Sequence, residues 1–196
     1  MSEPLLAFDA LACRRGMRIL WCGASAVLGA GDALYVTGAN GVGKSSLLRI
    51  LAGLLPAASG TVTRPERLAL VDEAHALGRE LPLGEALLFW ARLDGGNRQT
   101  VITALDRLAI ARLAPVPVRI LSTGQKKRAA LARVLVADAP LWLLDEPANG
   151  LDRDGVVLLE ALIAAHRASG GAVVLASHQP LTLGEAATLD LTALTP

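Results

Sequence analysis

The first part of the chain alternates short apolar runs with small turn clusters. "LLAFDALAC" and "ASAVLGAGDALYVTG" predict β-strands broken at "RRG" and "GAGD", and "ALYVT" predicts a strand running straight into the glycine-rich "TGANGVGKSS". Behind that loop, Leu47, Leu48, Leu51 and Leu54 recur at helical spacing. The middle of the chain changes period. "LGEALLFWARL" and "QTVITALDRLAIARL" predict two amphipathic helices on either side of "DGGN". "APVPV" predicts an extended connection and "QKKRAALARVLVA" a third helix. A strand, "LWLLDE", a helix, "DGVVLLEALIAAHRA", and another strand, "AVVLA", follow. Strands alternating with helices predict an α/β fold whose mainly parallel sheet is covered on both faces. The helical middle, roughly residues 80–136, reads as an insertion into a single domain over residues 1–196, and the first strands as an antiparallel β subdomain.

Composition narrows this picture. With 53% hydrophobic but only 3% aromatic residues among 196, the core must be built from Leu, Ala, Val and Ile. A net charge of +1 shows none of the basic excess of a nucleic-acid binder, so no nucleic-acid partner is expected. Cys13 and Cys22 lie in no metal-ligand spacing and read as a reduced pair. "MSEPLLAFDA" has no basic start before an apolar stretch, so no signal peptide is expected. No uncharged apolar run approaches the ~20 residues of a membrane span. The mean hydropathy of +0.46 is high, as buried parallel strands, an apolar docking face, or both would make it.

The glycine loop carries the first chemistry. Gly38, Gly43, Lys44 and Ser45 fit G-x-x-x-x-G-K-[ST], between a strand and a helix as the motif requires. Residues without side chains let successive N–H groups from Gly38, Ala39, Asn40, Gly41, Val42, Gly43, Lys44, Ser45 and Ser46 converge on phosphate oxygens. The helix start adds its positive end. Lys44 reaches the β- and γ-phosphates, and Ser45 offers its hydroxyl to Mg²⁺. This loop alone does not separate kinases, GTPases and ATPases.

"LWLLDEP" puts Asp145 and Glu146 at the end of an apolar strand, where ligands collect in open parallel sheets. Asp145 is assigned to the metal, and Glu146 to orienting and polarising an attacking water. The alternative for Asp145 is capping the helix near "DRDG". Neighbouring strand residues point to opposite sides, so both carboxylates face one phosphate only if the strand end twists.

In "LSTGQKKRAALARVL", Ser122 and Gly124 precede a basic helix and form a second anion site, which suits a partner's nucleotide. Here the chain resembles the ATP-binding-cassette ATPases. "LSTGQ" is similar to their LSGGQ signature, with Thr123 for the first glycine; "ANGLD" resembles the D-loop ending at Asp152, and "ASHQP" holds His178 where the family has its switch histidine. The resemblance runs from about Leu5 to Pro180. It implies ATP with Mg²⁺, and a homodimer closed by two nucleotides. Ser122 and Gly124 would then touch the partner's γ-phosphate, with His178 on the γ-phosphate in cis. A finer resemblance, carried by the short length, "LWLLDEPANGLD" and "GGAVVLASHQPL", is to the ATP-binding subunits of bacterial cytochrome c maturation systems, often called haem exporters. It implies an integral membrane subunit as partner and a place on the cytoplasmic face of the inner membrane.

The chain departs from the family pattern twice. The stretch "LVDEAHALGREL" has no Q-loop glutamine, leaving Glu73 as a stand-in or the metal to Ser45 and Asp145 alone. "CRRGMRIL" offers no aromatic residue to stack on adenine, and the nearby Trp21 reads as core. Phe89 and Trp90 are candidate contacts for the membrane partner, within a groove from Val71 to Trp90. His75 and His166 match no motif, and His166 is expected on a solvated helix face. Another small-substrate exporter ATPase, a soluble cassette ATPase working on ribosomes or DNA, and a P-loop kinase or GTPase-like switch stay open as alternatives.

Overall fold

The computed structural model describes residues 3–72 and 76–196. Three strands, β1 (Leu6–Arg15), β2 (Arg18–Leu28) and β4 (Ser59–Thr63), form an antiparallel sheet in the order β2-β1-β4. Five others form a wholly parallel sheet in the order β5-β6-β7-β3-β8: β3 (Ala33–Thr37), β5 (Leu68–Val71), β6 (Leu141–Asp145), β7 (Ala172–Ala176) and β8 (Ala187–Asp190). Helix α1 (Lys44–Leu51) follows β3. Between the paired strands β5 and β6 the chain makes α2 (Leu83–Leu93), α3 (Arg98–Arg107) and α4 (Thr123–Ala137), and α5 (Arg153–Ala168) joins β6 to β7.

The expected α/β architecture is therefore present, with its small antiparallel sheet and helical insertion. All five residues of β6 and of β7 are buried, which is why these strands read as unbroken apolar runs. Alternation then sorts them between two cores. Leu141, Leu143, Ala172 and Val174 pack with α1 and the small sheet; Trp142, Leu144, Val173 and Leu175 pack towards the other helices.

Three local readings need correcting. Helix α1 stops at Leu51, and Gly53, at φ +77°, turns the chain away, so Leu54 is exposed rather than part of the apolar face. The second middle helix is shorter than its pattern. It ends at Arg107, Ala109 takes a left-handed φ of 53°, and Ala111–Leu113 is a separate 3-10 turn. "APVPV" is extended at Pro117, which bridges Pro82, but Val118 already begins another 3-10 turn. The short strands β4, β5 and β8 have no distinct alternation of their own, and pairing with longer neighbours defines them.

Candidate nucleotide site

The parallel strands deliver three side chains to one place. Lys44 opens α1 after β3, Glu146 follows β6, and His178 follows β7 by two residues. The Lys44 ammonium is buried; it donates to Gly38 O at 2.8 Å and Ala39 O at 3.2 Å, and lies 3.1 Å from His178 Nε2. The same imidazole nitrogen is 3.5 Å from Glu146 Oε1, and the His178 N–H donates to Glu146 Oε2 at 3.2 Å. A cation, a carboxylate and an imidazole from three elements thus converge at the carboxyl ends of the strands.

Glycine geometry makes the loop possible. Gly38, Gly41 and Gly43 have φ of 134°, 79° and 110°. At Gly43 space matters as well: a Cβ would lie 2.8 Å from Trp21 Nε1 and 3.1 Å from Leu20 Cδ1. Trp21 is fully buried, as expected for a core residue, and it forms the floor of the loop. Cys13 is also buried here, its thiol hydrogen-bonded to Ser46; burial pushes its pKa up, partly offset by that bond. The C-terminal segment contributes too. Thr192 Oγ1 accepts from the Ala39 N–H at 3.2 Å, a contact 153 residues apart that no local pattern signals.

The twist required for two adjacent carboxylates is present. Asp145 is the last, buried residue of β6, and Glu146 turns to a φ of +46°. That left-handed backbone is costly for a residue with a Cβ, and such strain concentrates at functional sites. Glu146 Oε1 is buried and accepts no hydrogen bond among the described residues. Asp145 does not cap the next helix; Asp152 does, accepting from Gly155 N at 2.9 Å.

Ser122 and Gly124 lie elsewhere. Ser122 caps α4 in a reciprocal box with Gln125: Gln125 N donates to Ser122 Oγ at 3.3 Å, and Ser122 N to Gln125 Oε1 at 3.0 Å. With Arg128, Gly150, Asp152 and Arg112 they line a cleft of about 280 Å³ that contains no residue of the glycine loop. Arg128 Nη2 donates to Asp152 Oδ1 at 2.8 Å; that bond and the Gly155 N–H hold the Asp152 carboxyl below its usual pKa.

Towards the expected docking groove, Phe89 is 57% exposed, whereas Trp90 is used internally. Its indole donates to Ala76 O at 2.8 Å, and the Arg133 guanidinium stacks on its ring at 5.0 Å. Glu73 and His75 lie outside the described residues. His166 is not on a solvated face: it stacks on Trp142, centroids 3.9 Å apart, and burial pulls its pKa down.

A P-loop at the carboxyl end of an interior parallel strand, an acidic strand end and a capped signature helix define a nucleotide-binding cassette. The ABC transporter profile matches residues 23–149, and the chain belongs to that family. Among its relatives it is 55% identical over 179 residues to the cytochrome c biogenesis ATP-binding export protein CcmA of Sphingopyxis alaskensis, covering 91% of this chain and 92% of that one. It is 52% identical to the protein of the same name in Novosphingobium aromaticivorans over the full length of both. The solved structure of an ATP-binding subunit of an ABC transporter superimposes with a TM-score of 0.82 at 22% identity, covering 89% of this chain and 79% of that one, and carries the fold.

Proposed function

We propose that this chain is the ATP-hydrolysing subunit of an ABC membrane complex serving cytochrome c biogenesis; the relatives' name, cytochrome c biogenesis ATP-binding export protein CcmA, supports the reading. The observation that carries the chemistry is the convergence of Lys44, His178 and Glu146, with Glu146 Oε1 left as a buried acceptor. An acceptor buried without a partner is satisfied by water. Glu146 there orients the water that attacks the γ-phosphorus, while the bond to the β–γ bridging oxygen breaks to release ADP and phosphate. Lys44 and N–H groups of the glycine loop other than those of Ala39 and Val42, which donate within the protein, hold the charge that develops, and His178 holds the γ-phosphate.

Mg²⁺ fits the residues present. Ser45 supplies a hydroxyl on the first turn of α1 and Asp145 a buried carboxylate, both hard oxygen donors. Among the described residues no group of three or more His, Cys, Asp or Glu side chains is arranged to hold a metal, which suits an ion held chiefly by phosphates and water. Bound there, Mg²⁺ supplies neutralisation of phosphate charge.

The cleft at Ser122 and Gly124 lacks a P-loop of its own, which supports closure by a second copy: a homodimer with each ATP between one chain's loop and the other's signature. We read residues 1–196 as one cassette, with the helical subdomain at about 80–136. No helix among the described residues is long and apolar enough to cross a membrane. Attachment to the cytoplasmic face of the inner membrane runs, in this reading, through an integral subunit of CcmB type, together with one of CcmC type, with exposed Phe89 as a candidate contact. The cargo would be haem or its periplasmic chaperone.

The test is to isolate the chain from its native membrane with bound integral subunits and measure ATP hydrolysis and haem delivery. Copurification with a CcmB-type subunit and ATP-dependent haem delivery are expected. ATPase activity with a different integral subunit would move the chain to another exporter, and activity with ribosomes or DNA to a soluble cassette.

A further inference from the structure

Glu146 is held in a conformation that its own backbone disfavours, so something outside the strand must keep it there. Its N–H donates to Ala176 O at 2.8 Å, which fixes one side of the residue to β7. On the other side its carbonyl oxygen receives the ammonium of Lys127 at 2.9 Å. Lys127 is 5% exposed and sits in the second turn of α4, the helix that Ser122 caps. A lysine so deeply buried loses hydration, which its hydrogen bond to the Glu146 carbonyl offsets. The next residue, Arg128, donates to Asp152 Oδ1. Two consecutive cations of α4 therefore grip the segment between Glu146 and Asp152 at both ends.

We infer that Lys127 is a positioning residue for ATP hydrolysis: its ammonium holds the strained Glu146 peptide so that the carboxylate faces His178 and the attacking water. This rests on the ATPase reading above. It also gives the α4 helix a second role. Ser122 and Gly124, which line the cleft for the partner's nucleotide, precede Lys127, which aims this chain's own carboxylate, by five and three positions at the start of one helix. Engagement of Ser122 and Gly124 therefore reaches Glu146 through one helix turn and one hydrogen bond.

The experiment uses the full chain in its membrane complex, comparing wild type with Lys127→Met, which keeps the stem and removes the donor, and Lys127→Gln, which restores a donor without charge. For Lys127→Met the expected kcat falls at least about tenfold, the effect of about 1.4 kcal/mol of lost positioning. KM for ATP stays within about twofold, because the phosphate loop is untouched. Lys127→Gln recovers most of kcat. Wild-type kcat in Lys127→Met overturns the inference, and so does a joint fall of kcat and ATP affinity that Lys127→Gln fails to relieve. If thermal melting shows that Lys127→Met does not fold, Lys127→Ala is read in its place against the same outcomes. A wild-type complex with no ATPase activity removes the hydrolytic reading itself, and this inference with it; activity in wild type with no loss in the variants removes only the inference.

Discussion

The Nε2 atom of His178 stands 3.1 Å from the Lys44 ammonium, although 134 residues separate them in the chain. The imidazole lies between the glycine loop and the Glu146 carboxylate. His178→Ala is expected to lower kcat by about a hundredfold or more while leaving ATP binding largely intact. Lys44→Ala removes the cation itself and is expected to abolish both tight binding and turnover. Nucleotide titration beside steady-state ATPase assays separates the two; equal loss of binding in both variants would show that His178 merely supports the loop.

Glu146→Gln keeps the size of the side chain and removes the negative charge at the buried acceptor. Hydrolysis is expected to fall by about 10²–10⁴ while ATP still binds. The trapped nucleotide should accumulate dimers in gel filtration with ATP and Mg²⁺. A variant that stays monomeric at every nucleotide concentration would contradict the shared pocket.

Ser122→Arg fills the cleft at the start of α4, which contains no glycine-loop residue of the same chain. ATP affinity should be retained and hydrolysis lost. In mixed dimers, one Ser122→Arg chain paired with one Lys44→Ala chain should leave one intact composite site if the two lesions fall on the same interface. Turnover near half of wild type is then expected; complete loss would place Ser122 and Lys44 in one chain's pocket.

Gly43 and Gly41 provide a paired test of the loop. Both have positive φ, but only at Gly43 does an added Cβ meet Trp21 and Leu20; at Gly41 it meets nothing within 4 Å. Gly43→Ala should cost about 1–3 kcal/mol in thermal unfolding, with loss of nucleotide affinity, and Gly41→Ala clearly less. Comparable melting temperatures for the two variants would mean that the Trp21 floor yields.

His166 gives the stability a pH dependence. Its pKa in the fold is lowered chiefly by burial, so below its ordinary value near 6.5 the unfolded chain binds a proton that the native imidazole does not. Stability is complete above that pH and falls as the pH drops towards the lowered native pKa. His166→Phe keeps a ring against Trp142 and removes the titration. Melting temperatures at pH 7.5 and pH 5.5 should then differ less in the variant than in wild type; an equal difference would assign the effect to other groups.

Much of this protein was legible in its sequence because the signals are local. The glycine loop, the all-apolar strand ending in Asp145 and Glu146, and the serine cap of α4 each need only neighbouring residues to be recognised. Helix α2 runs over Leu83–Leu93, matching the extent of its apolar pattern. The misreadings fell where a neighbouring turn or a tertiary contact overrides the periodic pattern. Leu54 continues a helical spacing but lies past the glycine turn, and His166 looks polar on its helix but finds Trp142 on β6.

The sequence alone marked the groups proposed to meet phosphate, because an N–H cradle, a lysine and a following helix are encoded in consecutive residues. How distant groups come together was set by the three-dimensional packing. It brought His178 between Lys44 and Glu146, put Trp21 beneath Gly43, and set Lys127 on the Glu146 carbonyl. These contacts join residues from separate strands and helices, and their register follows from how a parallel sheet aligns its strand ends, which no short stretch of residues specifies.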